Sequence, residues 1–427
     1  MRNFILLIFL IITALALRAQ QLSKQEKKII AALDASMPAT IDLLKESVNI
    51  NSGTLNTEGV RKTGELFAGE LKALGFTVTW ISLPDSLHRA GHLVAWRKGK
   101  KGKKLLLIGH LDTVFEPDMT ANPFSMVNDT TATGQGVLDM KGGDVMVIAA
   151  LKALQQQKLL DDRTITVYFM GDEENAGHPR SVSREDFIEK SKEHDIALAF
   201  EAADGLSLVT SARRGASEWE LEVESPQGHS SGIFKKNDGS VFEAARIINS
   251  FREKLSAQPN LTFNPAIFIG GSDVKYNSLT QTATVISKNN IIAPKTIVIG
   301  DLRFLTEKQK ENARDSMLEI VAQHLPGTDA RISFKDGIPA MSPGPGNDSL
   351  VVFINQISKD LGFGPVSSGD PGLRGAGDIS YIAANLPCLD GLGASGKGSH
   401  APGETINLSE YPKLIKRTAV LIFRLTR

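Results

Sequence analysis

The sequence predicts an α/β fold: a mainly parallel sheet flanked by helices, interrupted by a smaller inserted α+β domain. Three observations carry this expectation. Between residues 76 and 200 short β-rich runs alternate with helical periodicity, as in a sheet covered by helices. From Trp219 to Glu224 the pattern becomes strict alternation, the mark of a strand with one wet face. Gly and Pro then crowd residues 337–346, a natural hinge, and beyond it the first style resumes.

The elements follow in order. Ser23-Lys24-Gln25-Glu26 has the spacing of a capping box, so a helix starts there. It is expected to break near Pro38 and to resume to Ser47. A second helix spans 58–74, where Gly75 is placed to end it. Strands are expected at 76–83, 92–97 and 104–108. The last is a continuous apolar run, Leu105-Leu106-Leu107-Ile108, as in a strand covered on both faces. Helix is expected at 143–157, strand at 164–170, helix at 183–192 and strand at 196–200. The middle reads as strand at 219–224, helix at 241–255, strands at 261–269, 283–287 and 296–304, helix at 306–324 and strand at 331–334. Helix 350–361, a strand near Cys388–Gly391 and a last helix from about Glu410 complete the chain. The expected domains are 20–213 with 336–427, and the insertion 214–335.

The chain has 427 residues, with 48 Lys+Arg against 48 Asp+Glu. That length is ample for two or three cores. The neutral balance argues against nucleic acid as the main partner, because phosphate binding needs a basic surface. A single cysteine, Cys388, excludes an internal disulfide framework and a Cys-rich zinc module; it reads as a small buried residue.

Residues 1–19 read as a secretory signal peptide. Arg2 gives a positive start, Phe4 to Leu17 is nearly all apolar, and Ala14-Leu15-Ala16 and Leu17-Arg18-Ala19 are cleavage candidates. The apolar run falls short of the roughly 20 residues a bilayer span takes. The expected location is therefore secreted or periplasmic, with no membrane association after cleavage.

Open parallel sheets place their sites at the carboxyl ends of the strands. Three predicted strands end in metal-binding residue types: His110 and Asp112 after the first, Glu173 and Glu174 after the second, and Glu201 after the third. Asp139 and His400 lie in glycine-rich loops. Each has an ordinary explanation alone. His110-x-Asp112 could be a solvated turn, the Glu pair the first turn of a helix, Asp139 a helix cap, and His400 a loop histidine. Together, two imidazoles and several carboxylates suit zinc or a similar borderline ion.

The ordered set resembles the zinc-dependent exopeptidases and deacylases that include glutamate carboxypeptidase, aminoacylase, acetylornithine deacetylase and succinyl-diaminopimelate desuccinylase. The carrying motifs are Leu107 to Val114, Gly136 to Gly143, Gly171 to Glu174, Glu201, and Gly398 to Pro402. The resemblance covers nearly all of the chain after the signal peptide. It implies a zinc-binding α/β domain with an inserted lid domain that also makes a homodimer.

Carried over by motif, the resemblance assigns His110, Asp139 and Glu201 to one Zn2+. Asp139, Glu174 and His400 would hold a second, with Asp139 bridging; Co2+ or Mn2+ would also suit. It makes Glu173 the general base and Asp112 the acceptor that fixes the His110 ring. It implies a cis peptide at Asp139-Met140. His229, in Gly228-His229-Ser230-Ser231-Gly232, resembles the lid histidine that stabilises the oxyanion in the other subunit's site. Arg303, in Asp301-Leu302-Arg303, resembles the family's Asp-x-Arg segment. Asn290 resembles its Asn-x-x-Pro segment, although Asn290-Ile291-Ile292-Ala293-Pro294 has one residue more. Both would hold the substrate's carboxylate, and Arg374 is a further pocket candidate.

Glu201 leans the resemblance towards cleavage beside a free C-terminal carboxylate, since several aminopeptidases have Asp at that place. The expected activity is carboxypeptidase, glutamate carboxypeptidase-like, acting on a small peptide or N-acyl amino acid. An N-acyl-amino-acid amidohydrolase is the alternative within the class. A metal-free binding protein on the same fold is the alternative outside it; that reading predicts a broken constellation, and here every position is filled.

Overall fold

The computed structural model describes residues 22–235, 237–278 and 280–427. The expected signal peptide lies outside the described residues. Among them, no helix is long and apolar enough to cross a membrane.

The chain divides into two compact units. Unit 1 comprises the chain up to Ser211 with Gly344–Gly369 and Asn385–Arg427; unit 2 comprises Ala212–Pro343 with Asp370–Ala384. The segment Asp370–Ala384, expected with the first domain, thus belongs to the second. Long-range ties that no local pattern announces hold it there: Arg213 Nη1 donates to the Gly375 carbonyl (2.9 Å) and Arg214 Nη2 to that of Gly372 (3.0 Å).

Unit 1 opens with α1 (Lys24–Asn49) and α2 (Thr57–Ala73). Ser23 and Glu26 exchange the two hydrogen bonds of a capping box. Helix α1 runs unbroken through Pro38, against the expected break. Pro38 is exposed, so the carbonyl its ring displaces can meet water, while Leu33, Leu43, Leu44 and Val48 are buried and hold the helix as one piece. Then come β1 (Thr77–Ile81), β2 (His92–Arg97), β3 (Lys101–His110), β4 (Ser125–Asn128), β5 (Thr131–Thr133), α3 (Lys141–Gln156), β6 (Arg163–Met170), α4 (Arg180–Ser191), β7 (Ile196–Ala199) and β8 (Leu208–Val209).

Unit 2 contains β9 (Gly215–Glu224), β10 (Gly228–His229), α5 (Ser240–Leu255), β11 (Thr262–Gly271), β12 (Asp273–Asn277), β13 (Thr282–Ile286), β14 (Ile291–Ile292), β15 (Lys295–Phe304), α6 (Glu307–Val321) and β16 (Asp329–Ile338). Its main sheet has the order β11-β15-β9-β16, all antiparallel. Strand β9 alternates in burial, as its sequence alternates. Trp219, Leu221 and Val223 join Phe251, Leu302, Phe304 and Met317 in one apolar core.

The chain then returns to unit 1 with α7 (Pro345–Asp360), β17 (Ser367–Ser368), β18 (Cys388–Leu389), β19 (Gly396–Lys397), β20 (Thr405–Asn407) and α8 (Tyr411–Thr426). The main sheet has the order β1-β2-β6-β3-β7-β18. It is parallel from β6 to β18 and antiparallel at the β1-β2 edge. Leu105 to Ile108 of β3 are all buried between α3, α8 and the neighbouring strands. A second sheet, β19-β20-β5-β4, was not legible, because its strands are short and largely polar.

Parallel register brings three strand ends to one edge. His110 pairs with Met170, and Ile108 with Ala199. The residues after β3, β6 and β7 therefore leave the sheet side by side.

Candidate metal centre

His110 ends β3, Asp139 lies two residues before α3, Glu173 and Glu174 follow β6, and Glu201 follows β7. His400 comes from the turn between β19 and β20. Close packing sets this edge. A side chain at Gly143 would sit 2.1 Å from the Phe200 carbonyl, and one at Gly109 would sit 2.0 Å from Asp144. Only glycine lets α3 approach the strand ends so closely. The Asp139-Met140 peptide is cis, as the resemblance implied.

The Asp139 carboxylate divides its oxygens. Oδ1 lies 3.2 Å from His110 Nε2, and Oδ2 lies 3.2 Å from His400 Nε2. Glu201 Oε1 faces His110 Nε2 at 3.6 Å, and Glu174 Oε2 faces His400 Nε2 at 3.2 Å. One donor atom each from His110, Asp139 and Glu174 lies within 4.8 Å of the others, a candidate metal site.

The donor chemistry fits a divalent cation. Glu174 Oε1 is buried and accepts no hydrogen bond among the described residues. Hydrogen bonds to Asp139 and Glu174 push the His400 pKa up to about 11. Burial opposes a charge on His110, yet hydrogen bonds to Asp112 and Asp139 and the charge of Glu201 hold its pKa well above the ordinary value. Burial raises Glu174, and the Asp139 charge adds to it. Acceptors are thus in excess, and a cation is what would balance them.

Asp112 meets the His110 ring with two of its groups. His110 Nδ1 is closest to the Asp112 backbone carbonyl, at 3.0 Å, with the carboxylate at 3.5 Å. The carboxylate also accepts the N–H groups of Glu173 (3.0 Å) and Glu174 (3.1 Å) and the Thr54 hydroxyl (2.6 Å). One buried acid therefore joins the His110 ring to the main chain of the Glu pair. Sequence reasoning missed Thr54, because 58 positions separate it from its acceptor.

Behind the Glu pair, Asp172 accepts from Arg184 Nη1 (2.5 Å), Ser183 Oγ (2.7 Å) and the Gly177 N–H (2.9 Å). Both partners of this ion pair are fully buried. His178, just beyond the Glu pair, is exposed. Cys388 is buried, which pushes its thiol pKa above the ordinary range.

The other predicted residues lie in unit 2. His229 is exposed on β10, and its Nδ1 accepts the Ser231 N–H (3.2 Å). Strands β10 and β14 pair His229 with Ile291, and the Ser230 N–H donates to the Asn290 carbonyl (2.9 Å). The fold thus brings His229 and Asn290 together. Arg303 sits near the far end of β15, with Nε on Asp301 Oδ2 (2.9 Å). Arg374 is half-buried in the segment held by Arg213 and Arg214.

Known proteins resemble the chain in sequence and in fold. The chain is 29% identical over 413 residues to carboxypeptidase G2 of Pseudomonas sp. (strain RS-16), covering 94% of this chain and 93% of that protein. Its fold matches an aminopeptidase of Bacillus cereus ATCC 10987 with a TM-score of 0.71 at 16% identity, over 91% of this chain and 98% of that one. It also matches a dinuclear metal binding peptidase of the M20 family from Bacillus subtilis, with a TM-score of 0.65 at 13% identity, over 92% and 99%. The sequence profile of peptidase family M20/M25/M40 matches residues 106–424. The chain belongs to peptidase family M20/M25/M40 and is a metal-dependent hydrolase.

Proposed function

We propose that the chain is a dinuclear metallopeptidase of the carboxypeptidase type. Its reaction is hydrolysis of a peptide or N-acyl amide bond next to a free C-terminal carboxylate. The observation that carries this reading is Asp139, each of whose carboxylate oxygens faces a different imidazole at 3.2 Å. A carboxylate divided in this way suits two ions about 3.5–4 Å apart. His110, Asp139 and Glu201 would hold one, and Asp139, Glu174 and His400 the other. Zinc is the expected ion, with Co2+ or Mn2+ compatible with the same donors. The identity to carboxypeptidase G2 and the dinuclear metal binding of the Bacillus subtilis peptidase support the reading.

Bound ions supply Lewis acidity, which polarises a carbonyl and brings the pKa of water towards neutrality. Side chains do the rest. Glu173 takes a proton from the attacking water and returns it to the leaving nitrogen. Its backbone N–H is held by Asp112, so its carboxylate works from a fixed base. His229 donates a hydrogen bond to the developing oxyanion. Arg303, Asn290 and Arg374 hold the substrate's carboxylate.

Strand β15 bears on how these groups are shared. Lys295, at its start, is eight residues from Arg303, about 26 Å of strand. The His229–Asn290 end of unit 2 is therefore remote from Arg303 in the same copy. That separation supports a homodimer in which His229 and Asn290 serve the other subunit's site. Strand β11 is an edge strand with Phe268 exposed, and Val241 and Phe242 are exposed at the start of α5. An apolar edge of this kind suits subunit contact. The N-terminal apolar segment would direct export, giving a secreted or periplasmic enzyme.

The test is a hydrolysis panel: C-terminal dipeptides, N-acetyl and longer N-acyl amino acids, N-aroyl glutamates, and the same compounds with amidated carboxyl ends. Each is run as purified, after chelation and after zinc return. Cleavage that needs the free carboxylate, is lost on chelation and returns with zinc is expected. No cleavage by a protein holding two ions would contradict the substrate class.

A further inference from the structure

We infer that Glu404 is a positioning residue that sets the backbone carrying Asp139, and through it both ion positions; the inference rests on the metal reading above. Glu404 follows His400 by four residues and is fully buried. Its Oε1 accepts two main-chain N–H groups, from Leu138 (2.6 Å) and from Asp139 itself (2.9 Å). Its own main chain is tied as well. The Glu404 N–H donates to the Ala401 carbonyl (3.1 Å) and closes the turn after His400. The Glu404 carbonyl accepts from the Gly134 N–H (3.3 Å) and from Thr133 Oγ1 (2.7 Å).

One residue thus joins two loops. Its backbone belongs to the loop that bears His400, and its carboxylate holds the segment that bears Asp139. Those ligands face each other at 3.2 Å. Burying a carboxylate is costly unless it is hydrogen-bonded and balanced by charge. Burial pushes the Glu404 carboxyl up to about 7. It pushes the fully buried Lys141, whose Nζ donates to the Ile50 carbonyl (2.7 Å), down to about 7 against the opposing pull of Glu404. An apolar residue of similar size at 404 would leave the Leu138 and Asp139 N–H groups without this acceptor. The segment between Gly136 and α3 would then lose the contact that fixes the Asp139 Cα.

The consequence is specific. Asp139 is the ligand that both ions would share, so moving its backbone weakens both sites. A residue supporting Glu174 or Glu201 alone would weaken one.

The test titrates the metal-free chain with Co2+ against a competing chelator and reads the two affinities. Thermal unfolding of the metal-free protein is followed alongside. Wild-type protein that binds no Co2+ would remove the metal reading itself. If it binds two, Glu404→Met is expected to weaken both ions together, by about 10- to 100-fold. Glu404→Gln keeps an acceptor oxygen in place and is expected to recover part of the loss, with the metal-free unfolding midpoint near wild type. A folded Glu404→Met with unchanged affinities, or with one ion weakened and the other not, would overturn the inference. If Glu404→Met does not fold, Glu404→Gln decides: equal weakening of both ions supports the role, and unchanged affinities overturn it.

Discussion

Unit 1 and unit 2 bury different things. In unit 1 the edge where β3, β6 and β7 end holds His110, Asp112, Lys141, Asp144, Asp172, Arg184 and Glu404, all fully or almost fully buried. In unit 2 the sheet and helices pack an apolar core, with Trp219 and Phe251 edge to face at 5.9 Å, and the buried acid Glu243 is paired with Arg246. On the wet face of the sheet Glu218, Glu222 and Glu224 of β9 meet Lys335, Lys295 and Arg331. Surface pairs of that kind are dispensable, whereas buried charge destabilises unless each group is held. The contrast bears on the chemistry: unit 1 gathers seven buried charged or titratable side chains along the edge where the ligands converge, whereas Glu26, Arg417 and Glu243 are buried elsewhere.

Four perturbations would break or sharpen this contrast. The largest effect is expected at Glu173. Glu173→Gln should lower kcat by about 10²–10⁴-fold while Co2+ uptake stays at the wild-type stoichiometry. Steady-state kinetics with metal analysis checks both, and a variant keeping most of its kcat would remove the general-base role. Next is the buried ion pair behind the Glu turn. Arg184→Met leaves Asp172 buried without its cation and should cost about 3–5 kcal/mol in urea unfolding.

A smaller effect comes from His92, which is fully buried, accepts the Gly171 N–H (3.1 Å) and faces the Ser183 carbonyl (3.0 Å). Burial holds its pKa below the ordinary value. The unfolded chain therefore takes up a proton that the folded chain resists. The stability this contributes is present above about pH 6.5 and is lost as pH falls below it, at up to about 1.4 kcal/mol per pH unit. Unfolding of wild type and His92→Gln at pH 7.5 and 5.5 should differ by this slope. The smallest effect is in unit 2. Lys335 meets Glu218 at 3.3 Å with both side chains more than half exposed, and Lys335→Met should change stability by no more than about 0.5 kcal/mol. A loss as large as that of Arg184→Met would erase the distinction between the units.

Much of this was legible in the sequence, for physical reasons. An apolar run that stops at a charged residue marks a strand end, so His110, Glu174 and Glu201 stood out. The alternation of β9 announced a half-wet sheet. What stayed hidden depends on distance along the chain. The Asp112 carboxylate meets N–H groups 61 and 62 residues away. Glu404 meets groups about 265 residues away and reads locally as one more acid in a glycine-rich loop. Segment 370–384 joins unit 2 through arginine contacts to carbonyls, which leave no pattern in composition or period. The unbroken helix at Pro38 teaches the same lesson: burial of one face outweighed a local breaker.

The central proposal is that Asp139 would be shared by two ions. Its most direct test is equilibrium titration of the metal-free chain with Zn2+ or Co2+, for wild type and Asp139→Ala, with bound metal counted per chain. The account predicts two ions per chain in wild type and weakening of both in the folded variant. One ion in wild type, or a variant that loses one site and keeps the other at full affinity, would contradict it.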